Sequence, residues 1–562
     1  MFDYKCLLAV ISLGSIFVLP TSSMAKHVAE IEKIETKKDN LNFSLQLPIQ
    51  ELVNTQLNEV AVPLLLSQIV VIQKIKITGN TVFSEEKLQE IIQPFLNKEL
   101  TLEEVFDIAE IVSNFYNKEG YTTSFATIAP QNFAAGTVNL EVTEGFLENI
   151  DVEVEGWLKP KYVRDRIIKV VGKLGSTIYN QNRLNKALQL LLIDPNVKNL
   201  EVEQEFERTT GATSLKVKAL ASKPVGFKLR TDNGRSPSVG SVQRVVQIEV
   251  RPTTNGDRLT LGYVNTDGSN DIDLFYSIRV NPSNGQFFAA YAQNNSQVIE
   301  TPFRVNDIDF DRDIYLLGYR QPLIETPLSE LALGLAFFHS DGNSSIENRP
   351  FQLVRGADED GNLRVSTISP FVEYSNRWGN NFISARSSLN FGVDVFDATN
   401  TGEISSQFFS MRLQSQYVNF IAPDTLGIAK FAVQLTPDLL PAPEQLSLGG
   451  RETVRGYRQS QVVADNGVFA SVEMWLPMWR DEDLDMALQM APFFDFGYGS
   501  NNDGTLEEDN TLFSVGVGLQ YRAGERFFVR LDYGIPIVKV ESNVIERTLQ
   551  DDGFYFLVEF NY

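Results

Sequence analysis

The sequence predicts two tandem α+β domains followed by a transmembrane antiparallel β-barrel of about 16 strands. Three observations carry this. The last ten residues alternate, with Phe554, Phe556, Val558, Phe560 and Tyr562 on one face of a strand and Tyr555, Leu557, Glu559 and Asn561 on the other. One face toward lipid and one toward a lumen demand such alternation, and an aromatic terminal strand is a common way for an outer-membrane barrel to close. From residue 224 onward similar segments recur with no long helical pattern. Between residues 70 and 223 the order β-α-α-β-β occurs twice.

Residues 1–25 read as a secretory signal: Lys5, an apolar run from Leu7 to Leu19, and a small-x-small site at Ser23-Met24-Ala25. The single cysteine, Cys6, lies within it, so the mature chain is expected to lack disulfides, thiol nucleophiles and thiolate metal sites. The later run from Ala61 to Ile72 is too short to span as a helix, so any membrane crossing must use a barrel. Residues 26–69 are polar and weakly patterned, with room for a short helix.

The first module (70–146) starts with a strand through Val71, Gln73, Ile75 and Ile77, turned at Gly79-Asn80. Of its two helical patterns, the second opens on the capping box Thr101-x-x-Glu104 and repeats apolar residues from Leu102 to Phe115. Strands follow at Phe125–Ile128 and Val138–Val142. The second module (147–223) repeats the order, with a strand at Ile150, Val152 and Val154, helices over Val163–Val171 and Leu184–Leu192, and strands at Leu200–Val202 and Leu215–Val217. In the third region (224–562), Ile272, Leu274, Tyr276 and Ile278 alternate with Asp273, Phe275, Ser277 and Arg279. Phe513–Tyr521 and Phe527–Tyr533 alternate in the same way. About 16 segments imply roughly 21 residues per strand and connection, which suits membrane strands. A turn is expected at Asn284-Gly285 and a long polar loop over Asn343–Asn362.

A net charge of −23 argues against nucleic acid and against anionic membrane surfaces as partners. An enzyme is not expected. Of the two histidines, His27 lies in the polar leader and His339 is expected at a strand end, neither with a triad pattern around it. No cofactor, metal site or catalytic residue is expected. Asp358-Glu359-Asp360-Gly361-Asn362 lacks the spaced ligands of a calcium loop and reads as a solvated loop.

Two motifs stand out. Val454-Arg455-Gly456-Tyr457 lies on a long connection, and Phe493-x-Asp495-x-Gly497 on a strand. With the tandem modules ahead of them, they are similar to the BamA-type superfamily of outer-membrane barrels. Gly120-Tyr121-Thr122-Thr123-Ser124, Pro130-Gln131 and Gly136-x-Val138-x-Leu140-x-Val142-x-Glu144-Gly145 resemble the first POTRA domain of the two-partner secretion transporters (TpsB; the ShlB/FhaC/HecB hemolysin activator type). The turn Asp232-Asn233-Gly234 is similar as well. The resemblance implies POTRA 1 at 70–146, POTRA 2 at 147–223, a barrel at 224–562 and a pore plug helix within 26–69. It also implies a monomer in outer-membrane lipid, with its POTRA domains in the periplasm, that exports a large unfolded β-helical exoprotein of adhesin or hemolysin type.

The motif residues make chemical sense. Arg455 presents a planar guanidinium fork that fits a carboxylate in two places, and Asp495 can receive it if the loop folds into the lumen. Losing either member of such a buried pair costs about 3–5 kcal/mol. Phe560 and Tyr562 are the C-terminal barrel signal. Exposed POTRA sheet edges can accept an added client strand, and Tyr121 and Phe146 are either client contacts or core. The alternatives are a BamA-type insertase, for which residues 26–69 are too few to add a third POTRA, and a passive porin, which leaves the two modules unexplained.

Overall fold

The computed structural model describes residues 69–562 except 134–135, 208–209, 253–255, 403, 505–509 and 541–545. The expected signal peptide and the expected plug helix lie outside the described residues. One compact unit ends at Ser222 and another runs from Lys223 to Tyr562.

In the first unit, strand Lys74–Thr78 turns Ile75 and Ile77 inward. Helix α1 (Glu85–Ile92) is capped by the Ser84 hydroxyl, which accepts from Lys87 N–H at 3.3 Å, and it buries Leu88 and Ile92 one turn apart. Helix α2 (Leu102–Lys118) carries a complete capping box. Thr101 N–H donates to Glu104 Oε2 at 2.7 Å, and Glu104 N–H to Thr101 Oγ1 at 3.3 Å. Its Val105, Ile108, Ala109, Val112 and Tyr116 form a buried stripe over the sheet. Thr137–Thr143 is the central strand, parallel to Lys74–Thr78 and antiparallel to Phe125–Thr127. A small ladder between Ile69–Val71 and Glu99–Thr101 was not legible in the sequence, since three-residue strands have no periodicity to read.

Glu144 ties this domain together. Its carboxylate accepts from Thr81 N–H and Val82 N–H at 2.8 Å each, from the Thr81 hydroxyl, and from the Tyr116 hydroxyl at 2.8 Å. Burial pushes its pKa up, but the Thr81 hydroxyl and the Val82 and Thr81 amides outweigh that and hold it below the usual carboxylate range. Burial, and then the Glu144 carboxylate, raise the Tyr116 phenol.

The next domain repeats the plan with helices α3 (Pro160–Val171) and α4 (Gln181–Leu192). Its central strand Ala212–Ala221 is parallel to Phe146–Glu155 and antiparallel to Val197–Glu207. The Asp194-Pro195 stop after α4 is used twice: Asp194 Oδ2 accepts from the Tyr162 hydroxyl at 2.7 Å, and Asp194 Oδ1 from Asn196 N–H at 2.9 Å.

The second unit is a closed antiparallel barrel. Its first eight long strands are β1 (Val225–Asp232), β2 (Gln243–Val250), β3 (Arg258–Asn265), β4 (Ser269–Arg279), β5 (Gln286–Gln297), β6 (Ile308–Glu325), β7 (Ser329–Ile346) and β8 (Asn362–Trp378). The other eight are β9 (Asn381–Gly392), β10 (Phe409–Ala422), β11 (Thr425–Leu435), β12 (Asn466–Asp481), β13 (Met486–Ser500), β14 (Thr511–Ala523), β15 (Phe527–Pro536) and β16 (Phe554–Asn561). Alternation fixes the faces: Ile272 and Leu274 of β4 are exposed outward, while Asp271, Asp273, Phe275 and Ser277 are buried inward. Short turns join the strands at the end that carries Val225 and Tyr562, and mostly longer loops join them at the other, where only β3 and β4 meet in a tight turn, as in outer-membrane barrels.

The wall is uneven. Strands β6 and β7 are 18 residues each and pair almost throughout, whereas β1 and β16, 8 residues each, close the barrel through the pairs from Leu557↔Asp232 to Asn561↔Lys228. Tyr562 N–H donates to the Phe227 carbonyl at 2.8 Å, and Phe560 pairs with Leu229. The Asn233 side chain completes the seam. It donates to the Phe554 carbonyl and accepts from Phe556 N–H, both at 2.8 Å.

Two local expectations are corrected. The polar stretch Asn343–Asn362 is not all loop: β7 runs on to Ile346, and Asn343 pairs with Asn362. Polar residues suit strands that have left the lipid, so polarity misplaced the boundary. His339 is not at a strand end either. It sits inside β7 facing outward beside Tyr315, with its Nδ1 2.9 Å from Ser366 Oγ of β8.

Candidate functional site

The connection from β11 to β12, residues 436–465, starts at the long-loop end and folds into the lumen. Its residues 454–457 each meet a different feature of the wall. Val454 is fully buried over Gly497 of β13, where a Cβ would come within 2.9 Å of Val454 Cγ2. Arg455 is next, 5% exposed. Its Nε and Nη2 donate to the two carboxylate oxygens of Asp495 at 2.7 and 2.9 Å, and its backbone N–H adds a third bond at 3.1 Å. The guanidinium carbon lies 3.4 Å from the centre of the Phe493 ring.

Gly456 has φ +95° and passes so close to β15 that a Cβ on Gly534 would meet Gly456 N at 2.5 Å. Its N–H donates to the Tyr555 hydroxyl of β16 at 3.0 Å, and that hydroxyl donates to the Tyr457 carbonyl. Tyr457 in turn accepts from Phe513 N–H at 3.0 Å and donates to the Val538 carbonyl at 2.7 Å. Residues of the two motifs, far apart in sequence, therefore meet in one contact. Phe560 and Tyr562 stand apart from it, in the barrel seam.

Several members of the site were not legible as such. Arg455 Nη1 also donates to Glu473 of β12 at 2.6 Å, and Asp495 accepts from Ser471 at 2.6 Å. Arg530 of β15 binds Asp532 through Nε at 2.8 Å and Glu473 through Nη1 and Nη2 at 2.9 and 2.8 Å. Glu473, Asp495 and Asp532 thus share Arg455 and Arg530 in a buried network. Lys430 of β11 brings a third positive charge to the edge of a cavity of about 10 Å³, the size of a single water. The only signal for these residues was their place on the inward phase of their strands, which marks a lumen wall and not a site.

Residues after the motif tie the loop to its neighbours. Arg458 donates to Glu300 at 2.6 Å and pairs with Asp551 at 2.9 Å, which links three loops. Gln550 accepts from Gln459 N–H at 2.9 Å and donates to the Arg235 carbonyl at 2.7 Å. Asp465, fully buried, receives Arg355 at 3.1 Å and Gln445 at 3.0 Å. The arrangement can hold a lumenal loop in one place with charge, shape and main-chain bonds at once. It presents no nucleophile and base poised for chemistry.

In the first unit, Tyr121 is half-buried in an aromatic group, its ring centre 5.6 Å from Phe83 and 6.2 Å from Tyr116. Phe146 is half-buried at the start of its strand.

Comparison with known proteins gives consistent results. A family model described as the haemolysin secretion/activation protein ShlB/FhaC/HecB matches residues 211–521, and a model of the ShlB-type POTRA domain matches residues 70–145. The heme/hemopexin transporter protein HuxB of Haemophilus influenzae strain 86-028NP is 21% identical over 483 residues, covering 80% of each chain. The solved structure of CdiB from Escherichia coli is similar at a TM-score of 0.66 and 17% identity, over 97% of this chain and 99% of that one. BamA from Haemophilus ducreyi lacking POTRA domains 1–3 is similar in fold, at a TM-score of 0.53 and 14% identity, over 88% of this chain and all of that one.

Proposed function

Because the chain belongs to the haemolysin secretion/activation protein family of ShlB, FhaC and HecB, an outer-membrane β-barrel transporter family for partner exoproteins, we propose that it recognises an unfolded partner exoprotein through periplasmic POTRA domains and passes it through its barrel to the cell surface. The POTRA domains span 70–146 and 147–223 and the barrel 224–562. Val454, Arg455, Gly456 and Tyr457 act as a latch on Phe493, Asp495 and Gly497, and Phe560 and Tyr562 are the signal that closes the barrel. The client is a large secreted β-helical exoprotein.

The observation that carries this reading is the buried Arg455–Asp495 pair between a lumenal loop and the wall. A loop anchored inside the lumen by several buried charges sets the state of the passage. It can shift as a unit while the wall strands keep their own ladders. The outer sheet edge at Val197–Glu207 leaves main-chain groups to which an extended client can add. The driving force is folding of the client outside the cell, since no nucleotide is at hand there.

The test is surface delivery of a candidate exoprotein in cells with and without the full chain, with assembly of unrelated outer-membrane barrels followed in parallel. Delivery that depends on the chain while other barrels assemble normally is the expected result. A client that reaches the surface without the chain, or a defect confined to assembly of other barrels, contradicts it.

A further inference from the structure

The loop after β9 leaves an apolar tip on the outer wall of the barrel. β9 stops at Gly392, and residues 393–399 run on beside β8: Val393 N–H donates to the Ser366 carbonyl and Thr399 N–H to the Arg364 carbonyl, both at 2.9 Å. Arg364 N–H returns a bond to the Thr399 hydroxyl at 2.9 Å. Ser366 points outward yet is fully buried, because the loop covers it and Val395 accepts its hydroxyl at 3.3 Å. Phe396 lies over the same outer face, its ring centre 5.3 Å from His339 and 6.0 Å from Phe337.

The tip remains open to the surroundings, with Val395 at 41% and Phe396 at 64% exposure. Phe396 and Asp397 both hold positive φ, +57° and +53°, a conformation that bulky L-residues seldom adopt. The wall beneath explains what such a tip meets. Leu333, Leu335, Ile368 and Phe391 face outward and exposed, whereas Asp341 and Asn343 continue β7 as polar residues. The change from apolar to polar falls at His339, which Phe396 touches. Amphipathic rings collect at that level of a membrane barrel, where acyl chains give way to headgroups.

We propose that residues 393–398 form an interfacial anchor, with Val395 and Phe396 seated in the acyl region of the outer leaflet and Asp394 and Asp397 at headgroup level. The occupant of this surface is lipid, because the patch continues the lipid-facing belt without a break. The anchor fixes the loop-bearing end of β8 and β9 at the membrane surface.

The test uses the full chain, which carries its single cysteine at Cys6 in the expected signal. Phe396→Cys is labelled with an environment-sensitive fluorophore and placed in phosphatidylcholine nanodiscs whose acyl chains carry a nitroxide quencher. Leu335→Cys serves as the lipid-facing reference and Glu359→Cys as the aqueous one, and Val395→Cys repeats the measurement should the Phe396 variant not fold. A blue-shifted, quenched label like that at Leu335 is the expected result. A label that behaves as at Glu359 overturns the proposal, since the tip then stands in water or under another part of the protein.

Discussion

Two places in the barrel present the same chemistry with different tethers. At the latch, Phe493-x-Asp495 of β13 receives Arg455, stacked on the ring and bonded to the carboxylate. Elsewhere on the inner wall, Phe371-x-Glu373 of β8 receives Arg386, whose guanidinium carbon is 4.0 Å from the Phe371 ring centre and whose Nη1 donates to Glu373 at 2.7 Å. Arg320 of β6 adds a second bond to Glu373 at 2.6 Å. The difference lies in what carries the arginine. Arg386 is the cross-strand partner of Glu373 in the β8–β9 ladder, so the two part only if the wall opens. Arg455 rides on a loop and can leave while every ladder stays whole. On the proposed reading, chemistry of one kind reinforces the wall in one place and makes a releasable contact in the other.

The largest expected effect breaks the releasable member. Arg455→Ala strands Asp495 and weakens Glu473 and Asp532, a loss of about 3–5 kcal/mol at the latch. Surface delivery of the client should collapse while the heat-modifiable, folded barrel is still found in the outer membrane. Arg386→Ala should give the opposite pattern, a lower melting temperature worth about 1–3 kcal/mol with export retained. A chain that exports normally after Arg455→Ala but fails after Arg386→Ala would erase the distinction.

Shape sharpens the comparison further. The position two residues after the acid is Gly497 at the latch and Ser375 on β8, because only the latch must admit Val454. Gly497→Ser should displace the loop and reduce export about tenfold, an effect near 1.4 kcal/mol. Ser375→Gly should leave export unchanged. Both are read by quantitative surface labelling of the client.

The smallest effect calibrates a hydrogen-bonded carboxylate outside the membrane. Glu144 has a folded pKa below the ordinary carboxylate value, through the Thr81 and Val82 bonds that outweigh its burial. The stability it adds is therefore present above the unfolded pKa and lost as pH falls through the folded one. Glu144→Gln should lower the melting temperature of the first domain slightly near neutral pH, by less than about 1 kcal/mol for so accessible a group, and the difference from wild type should vanish in acid. Thermal melts of the full chain followed at the two pH values check this.

Much of this layout was legible because membrane and core impose periodicity. The alternation of Phe554–Tyr562 and of Phe513–Tyr521 has only one way to face lipid, and the capping box at Thr101 marks its helix start directly. Where the physics is not periodic, reading stopped. Polar residues of β7 beyond the membrane looked like loop, although they continue the ladder to Ile346. At the site, Arg455 and Asp495 stood out through their motifs, whereas Glu473, Arg530 and Asp532 read as ordinary lumen-facing residues. Phe371-x-Glu373 has nearly the same letters as Phe493-x-Asp495. Gly497 against Ser375 and the three-dimensional position of the arginine tell them apart.

The most direct measurement is export of the client by Arg455→Ala, Asp495→Ala and the double variant, with barrel insertion checked in each. If the loop and the wall act as one latch, both single variants lose export and the double variant is no worse than either, because the interaction is already gone. Losses that multiply in the double variant, or a single variant that exports as wild type does, would contradict a latch shared between Arg455 and Asp495.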